Sequence, residues 1–212
     1  MNALDALVIA YNGISVLRQQ TQPGDIIQGC ITNGGLRPNI IHAYAAGKFV
    51  VRAPTKERVD RLRERVYACF EGAAIATGAR LEIKEGGRYD NHIPSRALGK
   101  VYREYFNTLG GAIGDPDLEE ITAATQASTD QGNISHVIPS LHPSLFVKSV
   151  REDGKGQGGG PHTPDFEKAV RTEDAHEKAM EAAKALAGVA VECLVDRRII
   201  DEAWKELRES KG

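Results

Sequence analysis

From Asn2 to Ile83 the chain alternates helical and extended patterns in an order that few folds accommodate. Leu4, Leu7, Val8, Tyr11, Ile14 and Leu17 recur in steps of three and four, so Asn2 to Gln19 predicts an amphipathic helix with one apolar stripe. The Pro-Gly pair inside "QPGD", Gln22 to Asp25, then breaks it. Ile26 to Thr32 is rich in β-formers, "NGGLRP" supplies turn residues, and Asn39 to Ala53 predicts a second extended stretch ending in "KFVVRAP". Thr55 is placed to cap a second helix with Val59, Leu62, Val66, Cys69 and Phe70 on one side and an end near Gly78. "ARLEIKEG", from Ala79, then reads as a short strand. Helix, strand, strand, helix, strand lacks only a leading strand of a split βαββαβ unit. The predicted fold class is therefore α/β, with an incomplete βαββαβ two-layer sandwich over residues 1–88, its helices on one sheet face.

Residues 89–212 follow a different plan. "NHIPSRALGKVYREYFNTLG" predicts a capped helix after Pro94, and "STDQGNISHVIPSLHP", Ser128 to Pro143, lies next to strand-like apolar runs. "REDGKGQGGGPH" is too poor in apolar residues to pack and is expected to be a mobile loop. Asp174 to Cys193 is Ala-rich with helical spacing, and a last helix is expected from Arg198 to Glu209. There are too few strands here to complete a sheet, so this region is expected to be a partial α/β segment of a larger domain.

Composition removes several function classes. With 41% hydrophobic and 26% charged residues the chain is of soluble globular type. A net charge of -2 with intermixed signs offers neither a basic stripe for nucleic acid nor a polybasic membrane anchor. Cys30, Cys69 and Cys193 are odd in number and never form a CxxC pair, which points to a reducing, cytoplasmic setting. The first twenty residues show neither a basic leader nor a small-residue cleavage site, and every apolar run is short.

Six histidines with many acids invite a metal reading, yet no HExxH or comparable spacing occurs. His136 and His142, within one short stretch, look like a pair; each alone is as well read as an ordinary hydrogen-bonded histidine. His162 follows a glycine run and opens "HTPDFEKAV", where Thr163 or Asp165 could cap a helix and turn the imidazole into a cleft. Ser128 or Ser135 beside His136 or His142 lacks the GxSxG elbow of a serine nucleophile. "GKGQGGG" lacks the GxxxxGK[ST] frame of a phosphate loop. Arg52 could hold a carboxylate through its planar fork, with Asn39 adding a donor and an acceptor. It is equally an ordinary surface ion-pairing residue, with Asn39 completing a turn.

Three stretches carry a resemblance. "GCITNGGLRPNIIHAYAAGKFVVRAPTKERVDRLRERVYACFEGAAIATGARLEI" resembles the lid, or dimerisation, domain of the aminoacylase-like M-twenty family of zinc peptidases and amidohydrolases. "STDQGNISHVIPSLHP" and "HTPDFEKAVRTEDAHEKAMEAAKALAGVAVECL" resemble the C-terminal part of its catalytic domain. The branch most similar contains β-alanyl-lysine-type dipeptidases and p-aminobenzoyl-glutamate hydrolase. The resemblance implies a catalytic domain that carries two zinc ions, with a lid inserted into it that forms a homodimer, and hydrolysis of a dipeptide or N-acyl amino acid. It implies that His162 is a zinc ligand, that Asn39 and Arg52 bind substrate and its carboxylate, and that Asp130 and Asn133 order the site from behind the ligands.

The family's early metal motifs, its bridging acid, its Glu-Glu base and ligand pair and its lid histidine have no counterpart in this sequence. No catalytic residue is therefore expected in this chain, and alone it is expected to be inactive and unable to hold two zinc ions. The alternative is a non-catalytic dimerisation or interaction module derived from such an enzyme. Gln28 stands where the family often has histidine, His42 where proline is usual, and "KSVREDGKGQGGG" lengthens the loop before His162.

Overall fold

The computed structural model describes residues 1–114, 128–151 and 153–210. The chain divides into two compact units, Met1–Asn91 and His92–Gly212.

In the first unit, helix α1 spans Ala3–Leu17, continued by a 3-10 turn at Arg18–Gln20. Asn2 accepts the Leu4 backbone N–H at 3.1 Å, satisfying one of the donors a helix start leaves unpaired. Of the stripe read from the sequence, Leu7, Ile14 and Leu17 are buried, together with Ala10, while Val8 and Tyr11 are exposed. Strands β1 (Ile26–Asn33) and β2 (Ala46–Arg52) form an antiparallel hairpin with Ile26 opposite Arg52 and Cys30 opposite Lys48. Helix α2, Lys56–Thr77, is capped by Thr55, whose hydroxyl accepts from Arg58 N at 3.3 Å. It stops at Gly78, whose φ of 70° suits a residue without Cβ. Ile14, Leu17, Ile27, Leu62 and Val66 form the core, with Phe49, Val51, Cys69 and Phe70 packed against it. Phe49 and Phe70 meet edge to face at 5.0 Å, a favourable arrangement of ring quadrupoles.

The strand expected at Ala79 to Gly86 does not form, and the described sheet has two strands. A strand exists only where a neighbour takes up its backbone groups. No described strand pairs with residues 79–86. Leu81 and Ile83, with the right composition for a strand, are accordingly 38% and 40% exposed.

The second unit is helical. Helix α3 (Arg96–Thr108) packs on α6 (Glu173–Val195) and α7 (Arg197–Glu209), and among the described residues two short helices lie between them in sequence, α4 (Gln131–Ser135) and α5 (Pro164–Ala169). Leu98, Tyr102, Ala185, Val189 and Ala203 make its core. Ala185 and Ala203 are completely buried, small residues that let helix backbones approach. Glu206 of α7 accepts from Ser95 Oγ at 2.8 Å and from Ala97 N at 3.0 Å, so the carboxylate of one helix closes the start of another. Within Ser128 to Pro143, Gln131–Ser135 forms the single turn of α4. The extended pairing described in this unit is limited to two isolated bridges, Pro94 with Ser140 and Val150 with Gln157. No helix among the described residues is long and apolar enough to cross a membrane.

Candidate functional site

Asn39 and Arg52 both belong to the hairpin unit. Asn39 is exposed in the connection between β1 and β2, where Ile40 N bonds to Arg37 O at 3.2 Å. That connection is anchored at the start of α1, because Ala3 N donates to His42 O at 2.8 Å. The His42 ring lies so close over Gly35 that any Cβ there would collide with it, and Gly35 also has a φ of 109°. Arg52 is the exposed last residue of β2, opposite Ile26. Ile27 O in turn accepts from Arg18 at 3.0 Å, so Arg52 sits at the α1 C-terminal end of the unit. The hairpin does not bring Asn39 and Arg52 together: the seven residues of strand from Ala46 to Arg52 cover roughly 20 Å.

Asp130, Asn133 and His162 belong to the second unit. Asp130 stands at the N-cap of α4, and Asn133 N donates to its carbonyl at 3.0 Å, so the two share one turn with both residues exposed. Behind them Ser135 is fully buried, donating to Gly132 O at 2.6 Å and accepting from Ile93 N at 2.9 Å. His162 is exposed and has a φ of 69°, unlike any other non-glycine residue described. That left-handed backbone costs about 1–2 kcal/mol and persists only where its surroundings impose it. Thr163, one of the two candidate caps, is the residue that caps α5. Its hydroxyl accepts from Phe166 N at 3.3 Å and donates to Gly160 O at 2.7 Å. Asp165 instead reaches back to Gly159 N at 3.2 Å. The glycine-rich segment is hydrogen-bonded into a turn, with Gly158 N on Ser149 O at 2.9 Å and Gly154 N on Arg151 O at 2.8 Å.

Sequence reasoning passed over His92. Its ring meets that of His142 edge to face, with centroids 6.0 Å apart. Burial pushes its pKa down, and the neighbouring His142 adds to the effect. The two residues are fifty positions apart, and only folding could pair them. Among the described residues no group of three or more His, Cys, Asp or Glu stands close enough to hold a metal ion, so their donor set does not fit a zinc centre.

No family model matches the chain. It is, however, 35% identical to human Xaa-Arg dipeptidase over 202 residues, which is 95% of this chain and 44% of the relative. With the mouse Xaa-Arg dipeptidase the identity is 34% over 209 residues, 98% of this chain and 46% of the relative. The chain belongs to the M-twenty family of peptidases and amidohydrolases. A further M-twenty relative, a p-aminobenzoyl-glutamate hydrolase subunit of Escherichia coli, is 28% identical over 110 residues, 51% of this chain and 23% of that protein. This M-twenty chain thus spans less than half the length of the curated relatives it matches.

Proposed function

We propose that these residues are part of a dizinc amidohydrolase or dipeptidase that hydrolyses the amide bond of a dipeptide or N-acyl amino acid. In this reading residues 1–88 are its lid domain without the first strand, and residues 89–212 are the C-terminal segment of its catalytic domain. The observation that carries the reading is the 35% identity with an Xaa-Arg dipeptidase across 95% of the chain. His162, held in a left-handed turn between Gly160 and Thr163, is this chain's one contribution to the zinc ligands. Arg52 and Asn39 take the substrate carboxylate and its neighbouring polar atoms, at opposite ends of the hairpin. Asp130 and Asn133, one helical turn of polar side chains, brace the ligands from behind. The remaining ligands and the proton-accepting glutamate come from outside these residues, so the isolated chain turns nothing over.

The test is incubation of the purified chain with zinc and a panel of dipeptides, Xaa-Arg sequences among them, and N-acyl amino acids. Absence of turnover agrees with the reading; robust turnover overturns it. A second reading, a non-catalytic dimerisation module, is favoured by a sheet of two strands with no further strand paired to either among the described residues and by exposed Leu36, Ile41, Tyr44 and Ile75 on the same unit. Sedimentation separates the two: a chain that stays monomeric alone and beside a full-length relative contradicts the second.

A further inference from the structure

The sequence contains two Asn-Gly pairs, Asn12-Gly13 and Asn33-Gly34, and both asparagines are exposed. We propose that Asn33 is a site of spontaneous deamidation, held ready by the turn that leaves β1, and that Asn12 is protected by α1.

Three observations carry this. The first is where the carboxamide lies. Asn33 Oδ1 accepts from Gly35 N at 2.9 Å, a bond to the second residue along that folds the side chain back over the Gly34 peptide. The reacting carbon, Cγ, is thereby turned towards Gly34 N. The same bond sets a donor on the oxygen that gains charge when Cγ is attacked, the arrangement that stabilises an oxyanion. The second is freedom at the nucleophile. Gly34 follows the last residue of β1 and lies beyond the ladder, whose final pair is Asn33 with Ala46, and it has no Cβ to shield its nitrogen. The third is that the turn is fixed from outside. The His42 ring packs against Gly35, and His42 O accepts from Ala3 N at 2.8 Å.

Asn12 has the same following residue but sits inside α1, Ala3–Leu17. The helical pattern commits the Gly13 N–H to the carbonyl four residues back. Gly13 also lies against α2, where an added Cβ would stand 3.4 Å from Cys69 Cβ. Attack there needs the helix to open first.

The reaction needs water and no oxidant or cofactor. Gly34 N bonds to Asn33 Cγ, the bond from Cγ to the amide nitrogen breaks, and ammonia leaves with the proton that Gly34 gives up. Water then opens the cyclic imide at either carbonyl, leaving aspartate or isoaspartate. Either product adds a negative charge where β1 enters its connection to β2, and isoaspartate also lengthens the main chain there by a methylene.

The full chain is aged at neutral pH and body temperature, folded and in guanidinium chloride. Trypsin cuts after Arg18 and so separates the two sites; mass spectrometry of the peptides follows each conversion of amide to acid, and isoaspartyl methyltransferase labelling identifies isoaspartate. In the folded chain Asn33 should convert at least about tenfold faster than Asn12, and in guanidinium chloride the two rates should converge. Gly34→Ala should slow Asn33 by about tenfold. The new Cβ would meet only Leu4 and Ile31 side chains, at 3.7 and 3.8 Å, so the fold is kept, as circular dichroism checks. The comparison of Asn33 with Asn12 needs no variant and decides the matter if Gly34→Ala disturbs folding. Equal rates at the two sites in the folded chain, a rate at Asn33 that rises on unfolding, or an undiminished rate in folded Gly34→Ala overturns the proposal.

Discussion

The guanidinium of Arg88 grips both carboxylate oxygens of Asp60, at 2.7 and 3.0 Å, from twenty-eight residues further along the chain. Its Nε donates to Asp90 at 2.9 Å, Lys56 reaches the same Asp90 at 2.6 Å, and Asn91 Oδ1 accepts from Lys56 N at 2.9 Å. The last residues of the first unit are thereby fastened to the opening turns of α2.

This network predicts a particular acid response. The hydrogen bond from Arg88 holds the Asp60 carboxyl below its ordinary range. Burial works against ionisation of Asp90, but the bonds from Lys56 and Arg88 outweigh it and its pKa is lowered too. A carboxylate whose pKa is depressed by folding stabilises the fold above its unfolded value, near pH 4, and loses that contribution as pH falls through the folded value. Protection of the amides of residues 86–91 against hydrogen exchange should be constant from pH 7 to pH 5, after correction for intrinsic exchange, and fall below pH 4. In Arg88→Ala that extra loss disappears, at a cost near pH 7 of about 1 kcal/mol or less for pairs this open to solvent.

Glu206 makes a different kind of prediction, because its two oxygens serve the start of α3. Glu206→Ala leaves Ser95 Oγ and Ala97 N without their charged acceptor and should cost about 1.5–3 kcal/mol in urea denaturation. Glu206→Gln keeps an acceptor and should recover part of it. Equal losses in both variants would show that the charge at the helix start, rather than the bond, is what matters.

The pKa of His92 is lowered by folding. Protons therefore bind the unfolded chain more readily, and stability should rise with pH between pH 5 and pH 7. Thermal melting across that range in the unaltered chain and in His92→Gln checks it. The variant should show the shallower slope.

At Gly78 a Cβ would meet no atom within 4 Å, yet φ is 70°. Gly78→Ala isolates the conformational cost without a clash and should destabilise the first unit by about 1 kcal/mol in chemical denaturation.

What was readable in the sequence follows the range of the forces involved. The stripe from Leu7 to Leu17 and the caps at Thr55, Ser95 and Thr163 are local, set by residues within a turn or two, and α1, α2, α3 and α5 begin where those residues put them. A strand is not local: Leu81 and Ile83 have strand chemistry and still lack a ladder, because pairing needs a neighbour that pattern alone does not supply. The left-handed backbone of His162 was invisible too, since it arises from bonds made by Thr163 and Asp165 to the glycines before it. His92 and His142 became neighbours only through the bridge between Pro94 and Ser140.

In the proposed function these residues supply part of a dizinc hydrolase and not its metal centre. Zinc content after loading with excess Zn2+ and exhaustive dialysis against chelator-free buffer tests it most directly. The account predicts well under one zinc ion per chain, since among the described residues no three donors stand together to hold one. Two zinc ions retained per chain would contradict it.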